Sequence, residues 1–305
     1  MNYIIYHADC TDGWASKTIA EVGLTKRDEE FESIPGAYQY ELPTGKFCKS
    51  DTVYFVDFSV KREEMIRIAM MVRKVVVIDH HESALKDLSG IEKDVPNVTL
   101  VMDMTQSGAG LTYKHFIDAE GELPYLIKHI QSSDIYTFEP DDDTDAIQLY
   151  FKSIPHDDDW PHIFGTEDCE VSKSVLAQGR SLVRFRNKLA ASLMKHIDED
   201  HGESISELNC VPREIVSYTL NRVCREAARR TGNSNQIAIN KSPVKDDHLI
   251  LSVRAIGKID LSIILPMFGG GGHKHAGGCK VSTEQYVKLV GALMGQAATV
   301  SATVL

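Results

Sequence analysis

Residues 75–81 read VVVIDHH, and that stretch decides the fold. Four β-branched apolar residues in a row suit a strand buried on both faces of a parallel sheet. Asp79, His80 and His81 follow where such a strand delivers polar side chains to its carboxyl edge. Working outward, the same pattern recurs in 53–58, VYFVDF, and in 3–13, YIIYHADCTDG, while 127–134, IKHIQSSD, sets Asp134 after an apolar run. Open α/β sheets place their sites outside the carboxyl ends of the strands. His7, Asp9, Asp12, Asp57, Asp79, His80, His81 and Asp134 are therefore expected to converge, although they spread over 128 positions. Carboxylates and imidazoles gathered at one point repel and desolvate one another unless a divalent cation lies between them. The expected site is a metal site.

Taken singly, each motif also has a plain structural reading. Asp57 or the nearby Ser59 suits a helix N-cap, and so does Asp134 after two serines. Asp79-His80-His81 suits ordinary strand-end hydrogen bonding. Their recurrence favours the metal reading: one histidine ligates through one ring nitrogen while a carboxylate or carbonyl fixes the other, and the second histidine faces a substrate anion. Gly13 permits the tight turn that the first motif needs before a helix.

Up to about residue 135, strands alternate with helical stretches. The pattern predicts strands at 2–6, 53–56, 74–78 and 98–102, and helices from Gly13 and over 61–73, 109–118 and 122–132. Such alternation implies a parallel sheet with right-handed crossovers. The acidic, Pro-bounded stretches 139–145, EPDDDTD, and 155–161, PHDDDWP, read as loops. Residues 171–198 have helical spacing, and a second unit starts near Cys210-Val211-Pro212, with a helix around 213–231 and strands around 236–240 and 249–256. At 305 residues the chain exceeds the usual size of a single core. The expected architecture is α/β: a parallel-sheet domain over 1–170, a connecting helix over 171–205, and a smaller α/β domain over 206–305.

The second domain carries its own signal. Gly269 to Gly272 precede His273, and Ala276-Gly277-Gly278 follow, so backbone N–H groups can approach an anion closely and His273 can add a donor. Ser252 and Arg254 fall on one face of an alternating strand, and arginine suits bidentate contact with phosphate. Charge is divided accordingly. Residues 1–170 hold 15 Lys+Arg against 33 Asp+Glu, a net of −18, whereas residues 171–280 hold 17 against 10, a net of +7. A basic unit beside an acidic, ligand-rich one suggests that the second handles an anion. Six cysteines form no CxxC pair, which argues against a structural zinc site or a disulfide framework and fits a reducing cytoplasm. No apolar run approaches the roughly 20 residues of a membrane span, and the N-terminus lacks the basic region of a signal peptide.

With these motifs in this order, the sequence resembles the DHH phosphoesterase superfamily over nearly its whole length, in the branch carrying a DHHA1 domain. That branch includes RecJ-type exonucleases and the nano-RNases that also dephosphorylate 3′-phosphoadenosine 5′-phosphate. The resemblance implies two domains with the active site in the cleft between them and two Mn²⁺ ions, with Mg²⁺ or Co²⁺ as substitutes. It implies that His7 and Asp9 hold the first ion, that Asp12, His80 and Asp134 hold the second, and that Asp57 bridges both. His81 would touch the scissile phosphate and Asp79 would orient a histidine. Ser252, Arg254, Gly271, Gly272 and His273 would form the substrate-binding set of the small domain. One departure stands out. Family members commonly have two aspartates separated by one residue in the first motif, whereas Asp9 and Asp12 are three apart and Cys10 stands two before Asp12. Asp9 and Cys10 are thus alternatives for completing the first metal site.

The activity so implied is hydrolysis of phosphodiester or phosphomonoester bonds by a metal-activated water. A long track of interleaved aromatic and basic residues is inconspicuous, which favours short single-stranded oligonucleotides or small nucleotides as substrates. Cyclic nucleotides, cyclic dinucleotides or polyphosphate are an alternative, and a catalytically silent nucleotide-binding module is another. The sequence leaves oligomeric state open, a homodimer included.

Overall fold

In the computed structural model, which describes residues 1–8, 10–37, 41–135, 137, 143–154, 160, 169–193, 204–244 and 247–302, the β-branched runs form buried strands. The first unit runs β1 (Asn2–His7), α1 (Thr11–Lys26), β2 (Phe31–Gly36), β3 (Thr52–Val56), α2 (Arg62–Ala69), β4 (Lys74–Asp79), α3 (Glu82–Leu88), α4 (Ile91–Asp94) and β5 (Val98–Met102). It continues with α5 (Gly108–Phe116), α6 (Tyr125–Asp134), α7 (Asp143–Ser153) and the start of α8 (Cys169–Leu193). Its five strands are all parallel, in the order β2-β1-β3-β4-β5. From β1 the chain moves to one side for β2 and then crosses to β3 on the other, so the strand order reverses at β1/β3, where open α/β sheets form a crevice.

Successive side chains of a strand point to opposite faces, and here both faces are apolar. Ile5, Phe55, Val75 and Val77 pack on Met65 and Ile68 of α2 and Leu88 of α3. Ile4, Tyr6, Val56, Val76 and Ile78 pack on Ala20 and Leu24 of α1 and on Leu111 and Phe116 of α5. Each such side chain, once fully buried, contributes about 1.5–3 kcal/mol. A further cluster joins Ile19, Ile127, Ile130, Ile147, Phe151, Trp160 and Val175, which seats α6 and α7 against α1 and the start of α8.

The chain divides into compact units at Met1–Val183 and Arg184–Leu305, a boundary inside α8. The second unit holds β6 (Ile205–Asn209), α9 (Arg213–Thr231), β7 (Ile237–Val244), β8 (His248–Ala255), α10 (Leu261–Ile264), β9 (Gly271–His273), β10 (Ala276–Ser282) and α11 (Thr283–Ala302). Its sheet order is β6-β7-β8-β10-β9, with β6–β7 parallel and the other pairs antiparallel. Leu251, Val253 and Ala255 face a core with Leu289 and Leu293 of α11. On the opposite face, Ala238 packs with Leu220, Val223 and Cys224 of α9.

The α/β architecture expected from the sequence is the one observed. The differences have local causes. β2, FESIPG, is an edge strand with a proline and a partly exposed pattern, which weakens its strand signature. β6 is obscured by a buried acid, Glu207, which accepts hydrogen bonds from Lys241 Nζ and Tyr286 Oη. The stretch read as an acidic loop contains a helix start: α7 begins at Asp143, where first-turn carboxylates favour the helix dipole. Residues 139–142, 155–159 and 161 lie outside the described residues.

Candidate metal centre

The centre grows from the carboxyl ends of β1, β3 and β4. β1 ends at His7, and α1 begins at Thr11, with Cys10 as N-cap and its Sγ accepting from Gly13 N at 3.2 Å. A Cβ on Gly13 would lie 2.1 Å from the His7 carbonyl oxygen, so only glycine permits this turn. β3 leads into Asp57, whose N–H extends the pairing to Ile78 O at 2.9 Å while its φ turns to +52°. Aspartate and asparagine tolerate that left-handed conformation better than most residues. α2 starts at Arg62 with Lys61 at its cap, so neither Asp57 nor Ser59 caps it.

α5 completes the floor. A Cβ on its first residue, Gly108, would fall 2.4 Å from Asp57 Cβ, and the N–H of Ala109 donates to Asp12 Oδ1 at 3.1 Å. Asp134 arrives from elsewhere: it is the last residue of α6, not the helix N-cap that its serines suggested. β4 ends in Asp79, fully buried, whose Oδ1 accepts from the backbone N–H groups of His80 at 2.7 Å and His81 at 3.2 Å. The same oxygen lies 2.6 Å from His81 Nδ1 and fixes that ring.

The side chains then meet. His80 Nε2 stands 3.2 Å from Asp57 Oδ1, 3.1 Å from Asp134 Oδ2 and 3.9 Å from Asp12 Oδ2. On the other side of Asp57, Oδ2 lies 3.2 Å from Cys10 Sγ and 3.7 Å from His7 Nδ1. Three groups result, His7/Cys10/Asp57, Asp57/His80/His81 and Asp12/His80/Asp134, each with one ligand atom per residue within 4.8 Å of the others. Asp57 and His80 each belong to two.

Among known proteins, no family model matches the chain. An uncharacterised protein of Acanthamoeba polyphaga mimivirus is 24% identical over 297 residues, which covers 92% of this chain and 68% of that protein. Among solved structures, the pGpG-specific phosphodiesterase PggH from Vibrio cholerae superposes with a TM-score of 0.55 at 13% identity, over 98% of this chain and 99% of its own. Exonuclease RecJ bound to manganese gives 0.56 at 13% identity, over 97% and 90%. An exopolyphosphatase-related protein from Bacteroides fragilis gives 0.52 at 14%, over 98% and 93%. The chain shares the fold of these solved structures.

Within that fold, the residues present fit divalent metal. Asp12 and Asp57 are 2% and 1% exposed, and Asp12 Oδ2 and Asp57 Oδ1 are buried with no aligned hydrogen bond. Buried carboxylate oxygens without donors are costly unless a cation offsets them. The charges respond as such a site requires. Burial, with Asp57 and Asp134 nearby, pushes Asp12 well above the usual carboxylate range. Burial also works to raise Asp57, yet contacts from His7 and His80 and the charge of His81 hold it below that range. Burial opposes the charged form of His80, but Asp57, then Asp134 and Asp12, outweigh it and push the imidazole up to about 9.

A metal ion binds the neutral imidazole, so below that value binding at His80 would expel its proton. Mn²⁺ affinity is therefore expected to climb by about tenfold per pH unit below about pH 9 and to level off above it. Chelator competition across that range measures it; a flat profile would exclude His80 as the ligand that gives up a proton.

Of the residues singled out in the sequence, the structure brings together His7, Asp12, Asp57, His80, His81 and Asp134, with Asp79 beneath. Asp9 lies outside the described residues. The remaining five lie in the second unit. Ser252 and Arg254 share the β8 face opposite Val253, and Arg254 donates to Ser217 Oγ on α9. Gly271, Gly272 and His273 form β9, a short edge strand paired with β10; Gly272, at φ +140°, is so close to Ala276 O that a Cβ would sit 2.3 Å away. Sequence reasoning missed Ser107, Gly108 and Ala109. Their signal is the small-residue run SGAG at a helix start, which marks a close approach of backbone to another group.

Proposed function

We propose that this chain is a divalent-metal-dependent phosphoesterase that hydrolyses short single-stranded oligonucleotides or small nucleotides. One observation carries the reading: three ligand groups linked through Asp57 and His80 at the carboxyl edge of the sheet, with His81 beside them on a buried aspartate. Asp12, Asp57, His80 and Asp134 would hold one ion, and His7 and Asp57 would contribute to the other. Bound there, divalent ions supply Lewis acidity toward a phosphoryl oxygen and lower the pKa of a water from about 16 toward 7.

The chain's own residues do the rest. Asp79 holds His81 through Nδ1 and leaves Nε2 to donate to a phosphate oxygen. Its hydrogen bond raises the His81 pKa, which favours the protonated ring beside an anion. In the second unit, Ser252, Arg254 and the backbone of Gly271, Gly272 and His273 would bind a phosphate. The neighbours in fold support this substrate class and this metal chemistry: one acts on pGpG and another is an exonuclease bound to manganese. Mn²⁺ is the assigned ion, with Mg²⁺ or Co²⁺ as substitutes.

The test is Mn²⁺-supplemented hydrolysis of a panel: RNA and DNA two- to five-mers, longer single strands, 3′-phosphoadenosine 5′-phosphate, cyclic mono- and dinucleotides, and polyphosphate. Turnover of short oligonucleotides or small nucleotides, abolished in His80→Ala, is the expected result. Preference for polyphosphate or a cyclic nucleotide would replace the substrate assignment. No turnover with metal bound would point to a binding module instead.

A further inference from the structure

We propose that Cys10 is a sulfur ligand of the metal centre and that the centre is chemically two-sided. A site of His7, Cys10 and Asp57 would take a borderline ion such as Zn²⁺ or Co²⁺. The site of Asp12, Asp57, His80 and Asp134 would take a harder ion such as Mn²⁺ or Mg²⁺. The inference rests on the metal-centre reading given above and adds to it the chemistry of one ligand.

The geometry is specific to this sulfur. Cys10 Sγ stands 3.3 Å from His7 Nδ1 and 3.2 Å from Asp57 Oδ2, inside a group whose ligand atoms all lie within 4.8 Å of one another. Asp57, 1% exposed, spans the two sides: Oδ2 faces Cys10 and His7, while Oδ1, buried with no aligned hydrogen bond, faces His80, so the Cys10 side rests on its three converging ligand atoms. The sulfur is held in place by the Gly13 N–H, at a turn whose glycine cannot carry a Cβ. Among the described residues, Cys48, Cys210, Cys224 and Cys279 belong to no such group.

The two sides differ in kind. Among the described residues, the Cys10 side offers one sulfur, one imidazole nitrogen and one carboxylate; the other offers three carboxylates and one imidazole. Thiolate ligands favour zinc-like ions, whereas carboxylates suit Mg²⁺ and Mn²⁺. On binding, the sulfur–metal bond replaces the S–H bond and the proton, which now points at Asp57, leaves to solvent.

Cobalt reports the difference without any assay of turnover. Metal-free full-length protein titrated with Co²⁺ is expected to bind two ions by native mass spectrometry, and one of them to bring a near-ultraviolet sulfur-to-cobalt charge-transfer band. Cys10→Ser and Cys10→Asp both keep a good N-cap for α1, so the fold is preserved. Both are expected to lose the band, and Cys10→Asp to keep two ions. With Zn²⁺ and Mn²⁺ supplied together, Cys10→Asp is expected to shift occupancy of that site toward Mn²⁺ by about tenfold or more. Two bound ions with no band, or a band that survives in Cys10→Ser, would overturn sulfur ligation and leave the phosphoesterase reading standing. Absence of any bound ion would overturn both.

Discussion

Asp57→Asn is expected to lower metal-supported turnover by about 10³-fold or more, while the protein still folds. Asp57 lies between two ligand groups, with Oδ2 toward Cys10 and His7 and Oδ1 toward His80. An amide removes the charge that both ions would share and turns one lone-pair site into a donor aimed at a cation. Metal ions contribute several kcal/mol of transition-state charge stabilisation, and about 4 kcal/mol corresponds to 10³-fold. Asparagine is the informative replacement for two reasons. It tolerates the φ of +52° at this position, and it has nearly the same shape against Gly108, where an extra atom has no room. Steady-state kinetics with Mn²⁺, together with native mass spectrometry, separates chemistry from binding. The variant is expected to retain the folded spectrum and lose ions; turnover within about tenfold of wild type would remove Asp57 from its central role.

The second large effect concerns a residue that acts through its neighbour. Asp79→Asn is expected to reduce kcat by about 10–100-fold, the usual cost of losing a carboxylate that orients a functional histidine. Oδ1 of Asp79 receives two backbone N–H groups and His81 Nδ1, so an amide oxygen can still satisfy the loop while the charge behind His81 is lost. That charge-assisted hydrogen bond is the largest cause of the raised His81 pKa. In the proposed role His81 would act as a cation toward phosphate, so activity is expected to fall as pH rises through its pKa. Removing the negative partner lowers that pKa, and the alkaline limb of the profile is expected to move to lower pH. A structural role alone would lower stability without moving that limb. An unshifted limb in Asp79→Asn would therefore separate His81 from the titration that limits activity.

The legibility of the site follows the range of the forces that build it. His7, Asp57, Asp79, His80 and His81 were readable because each ends or follows an apolar β-branched run, and burial on both sheet faces leaves only the strand ends for polar side chains. Asp134 was readable as a residue at the end of a helix expected over 122–132, though its serines also suited a cap; the core that seats α6 through Ile127 and Ile130 against α1 and α7 was not readable. Cys10 stood as one of two alternatives; only its distances from His7 and Asp57 give it a defined place. Gly108 and Ala109 carried only the small-residue run at a helix start, which does not say that α5 meets Asp12 and Asp57.

By itself the sequence determined the parallel-sheet fold and the edge at which most of the candidate residues gather, because strand periodicity and strand-end polarity are local properties of the chain. Tertiary structure decided the order that places β1 between β2 and β3. It also decided the approach of α5 to Asp12 and Asp57, and the meeting of Asp134 with His80. Those are contacts between segments tens of residues apart. Their ångström-scale distances are set by how whole helices pack on the sheet, and no run of neighbouring residues encodes that.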